Sequence, residues 1–319
     1  MTISKVILGS LIAALILVAV AIVGFYELFS NFRAYDDEGL FMLSNRLFLS
    51  GYIPYTEITW LFGPVQLAVV QLLHDGLGIP IDHSAVRFIT LVQWLILCSV
   101  AGLLVSVLAH SIRWGMVSFV LTFLYTTSIV NEPGHPQILV TAFSLAIALF
   151  PALWLVRRSW IVWLLVGATV ALVFYIKVNA GVFCLAAVAI ALLAQWFPGR
   201  WRVPLMTLLV LGSVAFPFLL MAPLLTVDHC FRYALVSGLS MMGVALLAVA
   251  RPVPGLNFYP SLLASASGFL LLSVAALGYA VWQLVSPSDI VVSLWGYAAD
   301  QAAFYHFFRD YSGLQLLLA

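Results

Sequence analysis

The sequence predicts an all-α polytopic membrane protein, and three observations carry that prediction. Of 319 residues, 64% are hydrophobic and only 8% are charged, where a soluble domain carries about 25% charged residues. The apolar residues fall in unbroken runs of about 20, the length a helix needs to cross the hydrocarbon core. None of these runs shows the ~10-residue alternation of an outer-membrane barrel. So few charges could not cover the chain with a hydrated surface, which excludes a soluble enzyme and a disordered chain. A net charge of +1 also excludes a nucleic-acid binder.

Residues 1–5 are short and basic, and the next apolar run, 6–29, is too long for a signal-peptide core. It reads as a retained first span. Further runs at 84–110, 114–130, 138–156, 160–176, 180–197, 203–226 and 262–284 bring the expected number of spans to eight. Residues 1–284 then form one membrane domain. The aromatic tail 285–319, with His306 within it, reads as an interfacial helix or the start of further spans. The run 64–79 is too short to span and is interrupted by His74, Asp75 and glycines, so a helix lying along the membrane surface is expected there.

Charge sets the orientation. Lys5 and the short connections bearing Arg113, Arg157/Arg158 and Arg200/Arg202 face the cytoplasm by the positive-inside rule. The segments 30–83 and 227–261 and the turn 131–137 then share the outer face, and the tail after the eighth span lies inside. The expected location is the cytoplasmic membrane, with the N-terminus inside and interfacial amphipathic helices in the first and last long outer segments.

The chemistry is therefore expected outside, in three places. In the first outer segment Asp36 is placed to cap a helix whose first turn holds Asp37 and Glu38, where the positive end of the macrodipole favours carboxylates. Leu40, Phe41, Leu43, Leu47 and Phe48 recur at helical spacing opposite Ser44, Asn45 and Arg46, and Gly51 ends the helix. In the turn NEPGHPQ, two prolines and a glycine hold Glu132, His135 and Gln137 at the mouth of two spans. At the end of the 160–176 run, Lys177 either snorkels to the interface or offers a cation suited to a phosphate, with Asn179 beside it. Arg232 and Arg251 supply further positive charge in the second long segment. Asp36, Asp37, Glu38, Glu132 and His135 offer ligands for a divalent cation, without an HExxH-type motif. The three cysteines form no CxxC pair.

Taken in order, YDDEGLFMLSNRLFLSGYIPYTEITWLFGP, NEPGHPQ and KVNAG resemble the membrane-embedded glycosyltransferases of the GT-C superfamily. The resemblance is to the bacterial branch related to protein O-mannosyltransferases and aminoarabinose transferases, and it covers residues 1–285. It implies transfer of a sugar from a polyprenyl-phosphate donor to a hydroxyl of a lipid, glycan or protein acceptor on the outer face, with inversion. Asp37 with Glu38 matches the family's acidic pair in the first outer loop, and Asp37 is the implied general base, with Asp36 one residue away. Glu132, His135, Gln137, Lys177, Asn179 and Arg232 are the substrate-binding candidates. Many members carry ten or more spans, so eight, in a chain that ends as an apolar run begins, read as a shortened form. A transporter or flippase with a site near the midplane, and a non-catalytic scaffold subunit, are the rival readings.

Overall fold

A computed structural model describes residues 3–30, 38–129, 132–157, 160–196, 202–250 and 257–293. Among these, nine long helices form the body: α1 (Ile3–Ser30), α4 (His83–Leu108), α5 (Ile112–Ile129), α6 (Gln137–Arg157), α7 (Ile161–Ile176), α8 (Val178–Trp196), α9 (Arg202–Leu220), α10 (Asp228–Ala250) and α11 (Phe258–Trp282). Two short helices, α2 (Glu38–Leu49) and α3 (Pro64–Gln71), lie between α1 and α4, and α12 (Pro287–Val291) comes after α11. Six of the long helices are apolar and long enough to cross a membrane by themselves. In hydrocarbon every backbone polar group must find its partner inside its own segment, and an α-helix meets that demand. The exposed surfaces of these helices are large and apolar, among them Leu15, Val18 and Val23 of α1 and Leu263, Leu270 and Val274 of α11. The chain is a multi-pass α-helical membrane protein.

Contacts at the helix ends give the direction of each element. Leu28 of α1 meets Arg87 of α4, and Gly24 faces Leu91, so α1 and α4 run antiparallel. Ala101 and Gly102 of α4 face Ser118 and Gly115 of α5 in the same sense. Lys177 alone joins α7 to α8, and Trp163 near the start of α7 packs with Leu192 and Val188 near the end of α8. α7 and α11 pack against each other and run parallel, with Phe258 and Ala264 against the Trp163 and Val166 cluster and Phe269 beside Phe174 further along. Gly167 lies against the Ser265 backbone and Gly268 against that of Leu164. In lipid no hydrophobic force draws helices together, so close backbone approach at small residues supplies much of the packing energy.

One expectation is corrected by α10. The segment 227–261, read from sequence as an outer loop with an interfacial helix, contains this long helix. Cys230–Ala250, 21 residues long, contains an 18-residue stretch with a mean hydropathy of 2.0. It runs back antiparallel to α9, from Phe231 beside Phe218, through Gly238 beside Val214, to Met241 and Ala245 clustered with Leu209 and Ile190. Asp228, Arg232, Ser237 and Ser240 dilute its apolar character, which is why the run does not stand out by eye.

The extra helix reverses the direction of α11 relative to that expectation. The start of α11 sits beside the end of α8, where Phe258 stacks on Trp196 with ring centroids 5.2 Å apart. The end of α11 returns to the face that carries α2 and α3: Tyr279 donates its hydroxyl proton to Gln71 Oε1 at 2.7 Å, and Gln283 Nε2 donates to the same oxygen at 3.0 Å. Val285 and Ile290 then pack with Ile53 and Tyr55. Residues 285–293 therefore lie on the same face as 38–82, not on the opposite one as parity over eight spans implied. The other tail residues, His306 included, lie outside the described residues.

The short elements of the first outer segment stand where the sequence placed them. The amphipathic helix expected before Gly51 is α2, and Gly51 itself takes φ +96°. The 64–79 run is only the two-turn α3 and a wider turn through Gly76, packed against α7 and α11. Pro217 lies near the end of α9, and Pro223 sits in a short 3-10 turn just beyond it.

Candidate functional site

The site is on the face carrying α2 and α3, and a buried ion pair anchors it. Asp82 caps α4 by accepting a hydrogen bond from the Ala85 N–H at 2.8 Å, which places Arg87 just inside the helix. Arg87 Nε and Nη2 donate to both carboxylate oxygens of Glu38 at 2.9–3.3 Å, and Nη1 donates to the Leu28 carbonyl at 2.8 Å. His83 Nδ1 is 3.0 Å from Glu38 Oε1. Only 2% of Glu38 is exposed. This clasp holds the end of α1, the start of α2 and the first turns of α4 together. Both oxygens of Glu38 are committed to neighbours, so its described task is to fix where α2 begins. Asp36 and Asp37 lie outside the described residues; in sequence they immediately precede the clasped residue.

The connection from α2 to α3 is equally constrained. Glu57 Oε2 accepts from the Ile53 N–H at 2.7 Å, and Tyr55, at φ +71°, donates its hydroxyl to the Phe62 carbonyl at 2.6 Å. Burial pushes the Tyr55 phenol far up, so it stays a donor. Gly63 N–H donates to the Ile176 carbonyl at 2.9 Å, tying this connection to the end of α7.

The proline-flanked turn meets it from the other side. Gly134, at φ +83°, donates its N–H to Thr90 Oγ1 of α4 at 3.0 Å. That backbone geometry favours glycine because other residues clash there. His135 lies edge-on to Phe41 of α2 and to Phe62, at 5.4 Å from each. Its Nδ1 accepts from the Gln137 N–H at 3.0 Å, which puts the ring proton on Nε2. Burial first, and then the charge of Lys177, push its pKa down to about 4, so the imidazole is neutral at pH 7.

Lys177 closes the group. At the one-residue link between α7 and α8, its Nζ donates to Gln137 Oε1 at 2.8 Å. Burial lowers its pKa, and Glu132 opposes that shift. The lysine thus turns toward the turn on α6 instead of snorkelling away from it. Glu132 Oε2 stands 4.0 Å from His135 Nε2. Glu132, His135, Gln137 and Lys177 form one polar group, reached by α2 through Phe41.

The other candidates are placed less centrally. Asn179 is exposed on the first turn of α8, where its Oδ1 accepts from the Ala180 N–H at 2.8 Å. Arg232 of α10 pairs with Asp228 one turn earlier at 2.9 Å, and Arg251 lies outside the described residues. Among the described residues no group of three His, Cys, Asp or Glu side chains is placed to hold a metal ion.

Sequence reading missed several contributors. Arg87 is an ionisable side chain one turn inside a 26-residue apolar helix, a signal that marks function or a buried partner in a membrane segment. Phe41, Trp60, Phe62 and Gln66 line a cleft beside Gly134, together with Leu40, Ser44, Asn45, Thr59 and Leu61. Apart from the helical spacing of Leu40 and Phe41, nothing in their pattern sets them apart from ordinary interfacial residues.

Fold and site together define a multi-pass α-helical membrane protein with a polar and aromatic pocket on one face. No family model, curated protein or solved structure matches the chain.

Proposed function

We propose that the protein is a membrane-embedded glycosyltransferase, moving a sugar from a polyprenyl-phosphate donor to an acceptor hydroxyl at the outer face of the cytoplasmic membrane. One observation carries the reading. Three segments far apart in sequence (the helix that begins at Glu38, the 132–137 turn and the Lys177 link) meet at one face, through Phe41 on His135 and Lys177 on Gln137.

The chemistry suits that meeting. A polyprenyl chain stays in the bilayer because each buried CH₂ is worth about 0.8 kcal/mol, so its enzyme must work at the membrane surface. The acceptor oxygen attacks the anomeric carbon and its proton passes to a carboxylate, assigned to Asp37 by the resemblance. The bond from that carbon to the phosphate oxygen breaks, and the polyprenyl phosphate leaves with its electron pair. Attack opposite the leaving group inverts the centre. Lys177, held by Gln137, supplies a cation to the departing phosphate, with Arg232 the second candidate. Glu38, the next residue in sequence after Asp37, ties the start of α2 to α4 through Arg87.

The test is the purified chain in proteoliposomes with a radiolabelled polyprenyl-phosphate sugar and a mixed acceptor fraction. The expected result is label on the acceptor with release of polyprenyl phosphate. Label that crosses the bilayer still on its lipid would make the protein a flippase; label that neither moves nor crosses would leave a scaffold.

A further inference from the structure

A groove runs between α1, α4 and α5, toward the end of the bundle away from α2 and α3. Ile16 and Leu17 of α1, Leu103 of α4, and Met116 and Phe119 of α5 line it, around a cavity of about 310 Å³. Leu17, Leu103 and Ile112 on its rim are exposed, so it opens outward, where a membrane span meets lipid. Small residues shape it. Gly102 and Gly115 bring the α4 and α5 backbones together, and a methyl group on Gly102 would stand 3.0 Å from the Gly115 carbonyl oxygen. Both glycines face the groove, and their missing side chains leave its wall concave. Apart from Ser99 and Ser106 the wall is hydrocarbon, and Ser99 already donates its hydroxyl to the Leu95 carbonyl at 2.7 Å. An apolar cavity of about 150 Å³ takes a benzene ring; this one is larger and suits a longer piece of hydrocarbon.

The charge at its mouth has one sign. Ile112 of the wall is followed by Arg113 and Trp114, both exposed, and His110 is exposed in the turn before them. An arginine beside a tryptophan at a helix end marks the head-group level. From Ile112 to Phe119 the groove then runs about 10 Å into the hydrocarbon, within the roughly 15 Å of one leaflet. No carboxylate is at hand for the arginine. Glu27 is the one acidic residue of α1, α4 and α5, and it lies at the other end of α1, beside the Leu28 that meets Arg87. Among the described residues Arg113 has no ion-pair partner. A negative head group at this level meets Arg113 while the hydrocarbon below it enters the groove, as in the basic pockets between membrane helices that hold anionic lipids. A second copy of the chain, inserted the same way, would instead bring its own Arg113 to that level, and like charges oppose this.

We propose that the groove between α1, α4 and α5 binds one anionic phospholipid of the leaflet at that end, with an acyl chain between Leu17, Leu103 and Met116 and its phosphate at Arg113. The bound lipid fills the space between α1 and the α4–α5 pair and so stabilises the folded bundle by mass action. The site lies at the opposite end of α4 from Thr90 and the Gly134 turn, and it does not depend on the glycosyltransferase reading.

Native mass spectrometry of the full chain, titrated in detergent with phosphatidylglycerol and with phosphatidylcholine of the same acyl chains, tests it. Phosphatidylglycerol is expected to bind about fivefold more tightly, the worth of one basic side chain near an anionic surface. Arg113→Gln removes the charge at an exposed position and is expected to bring the two lipids close to equal affinity. Leu103→Trp fills the groove from its exposed rim and is expected to weaken both lipids about fivefold or more. Ser99→Phe, also at an exposed position, is a second filling variant with the same expected direction, and helical circular dichroism checks that each variant is folded. A phosphatidylglycerol with a photoreactive diazirine on its acyl chain is expected to label residues 13–17 or 99–119. Equal affinities in the wild type, a preference unchanged in folded Arg113→Gln, binding unchanged in both filled variants, or label confined to other helices would each overturn the site. A lipid-free dimer in the same spectra would give the groove to a second copy of the chain. No sugar donor enters the experiment, so a protein that transfers nothing leaves this result as it stands.

Discussion

Arg87→Ala is expected to lower the unfolding free energy by about 3–5 kcal/mol, the usual cost of breaking a buried ion pair from one side. The size reflects the surroundings. Glu38 is 2% exposed, and both its oxygens accept from the Arg87 guanidinium. The same guanidinium also holds the Leu28 carbonyl. Without it a carboxylate stays in a poorly hydrated site and three chain segments lose their common tie. Glu38→Leu combined with Arg87→Met removes both charges at similar volume and is expected to recover most of the loss, since apolar replacements of buried pairs are often neutral or stabilising. Denaturant titration in detergent, monitored by helical circular dichroism, measures both. An Arg87→Ala protein as stable as the wild type would show that the clasp does not hold the loop.

On the proposed function, Asp37→Asn is expected to cut sugar transfer by about 10²–10⁴-fold, the range of general-base assistance, with the unfolding midpoint unchanged. Glu38→Gln separates the two carboxylates. It removes the charge that Arg87 binds, so its loss of activity is expected to come with a loss of stability, and Asp37→Asn is expected to show the first without the second. The readout is the proteoliposome transfer assay run beside the unfolding titration. Full turnover by Asp37→Asn would take that residue out of the base role.

Much of the fold was legible because bilayer physics leaves few choices. Runs of apolar residues become helices, and the long uninterrupted ones at 84–110 and 262–284 coincide closely with α4 and α11. The missed helix, α10, shows the limit of reading by run length. Asp228 and Arg232 pair with each other on one side of the helix, so two charges that look prohibitive in sequence are met locally. That one helix changes parity, and with it the side on which the tail begins. At the site, the turn and the lysine were legible as polar residues held at span ends. Their union was not, because the Lys177–Gln137 bond joins residues 40 positions apart. The clasp was hidden for the same reason: Glu38 and Arg87 are 49 positions apart. Of the pair, Glu38 stood out as part of the acidic triplet, and Arg87 went unremarked.

Sidedness of labelling tests the arrangement most directly. With Cys98, Cys184 and Cys230 replaced by alanine, single cysteines at Thr59, Asn179, Ser288 and His110 would be treated with a membrane-impermeant maleimide in sealed, oriented vesicles. All four positions are exposed. Thr59→Cys, Asn179→Cys and Ser288→Cys are expected to react from one side and His110→Cys from the other. Reaction of Ser288→Cys together with His110→Cys would mean that α10 does not cross. Thr59→Cys and Asn179→Cys on opposite sides would contradict the shared pocket itself.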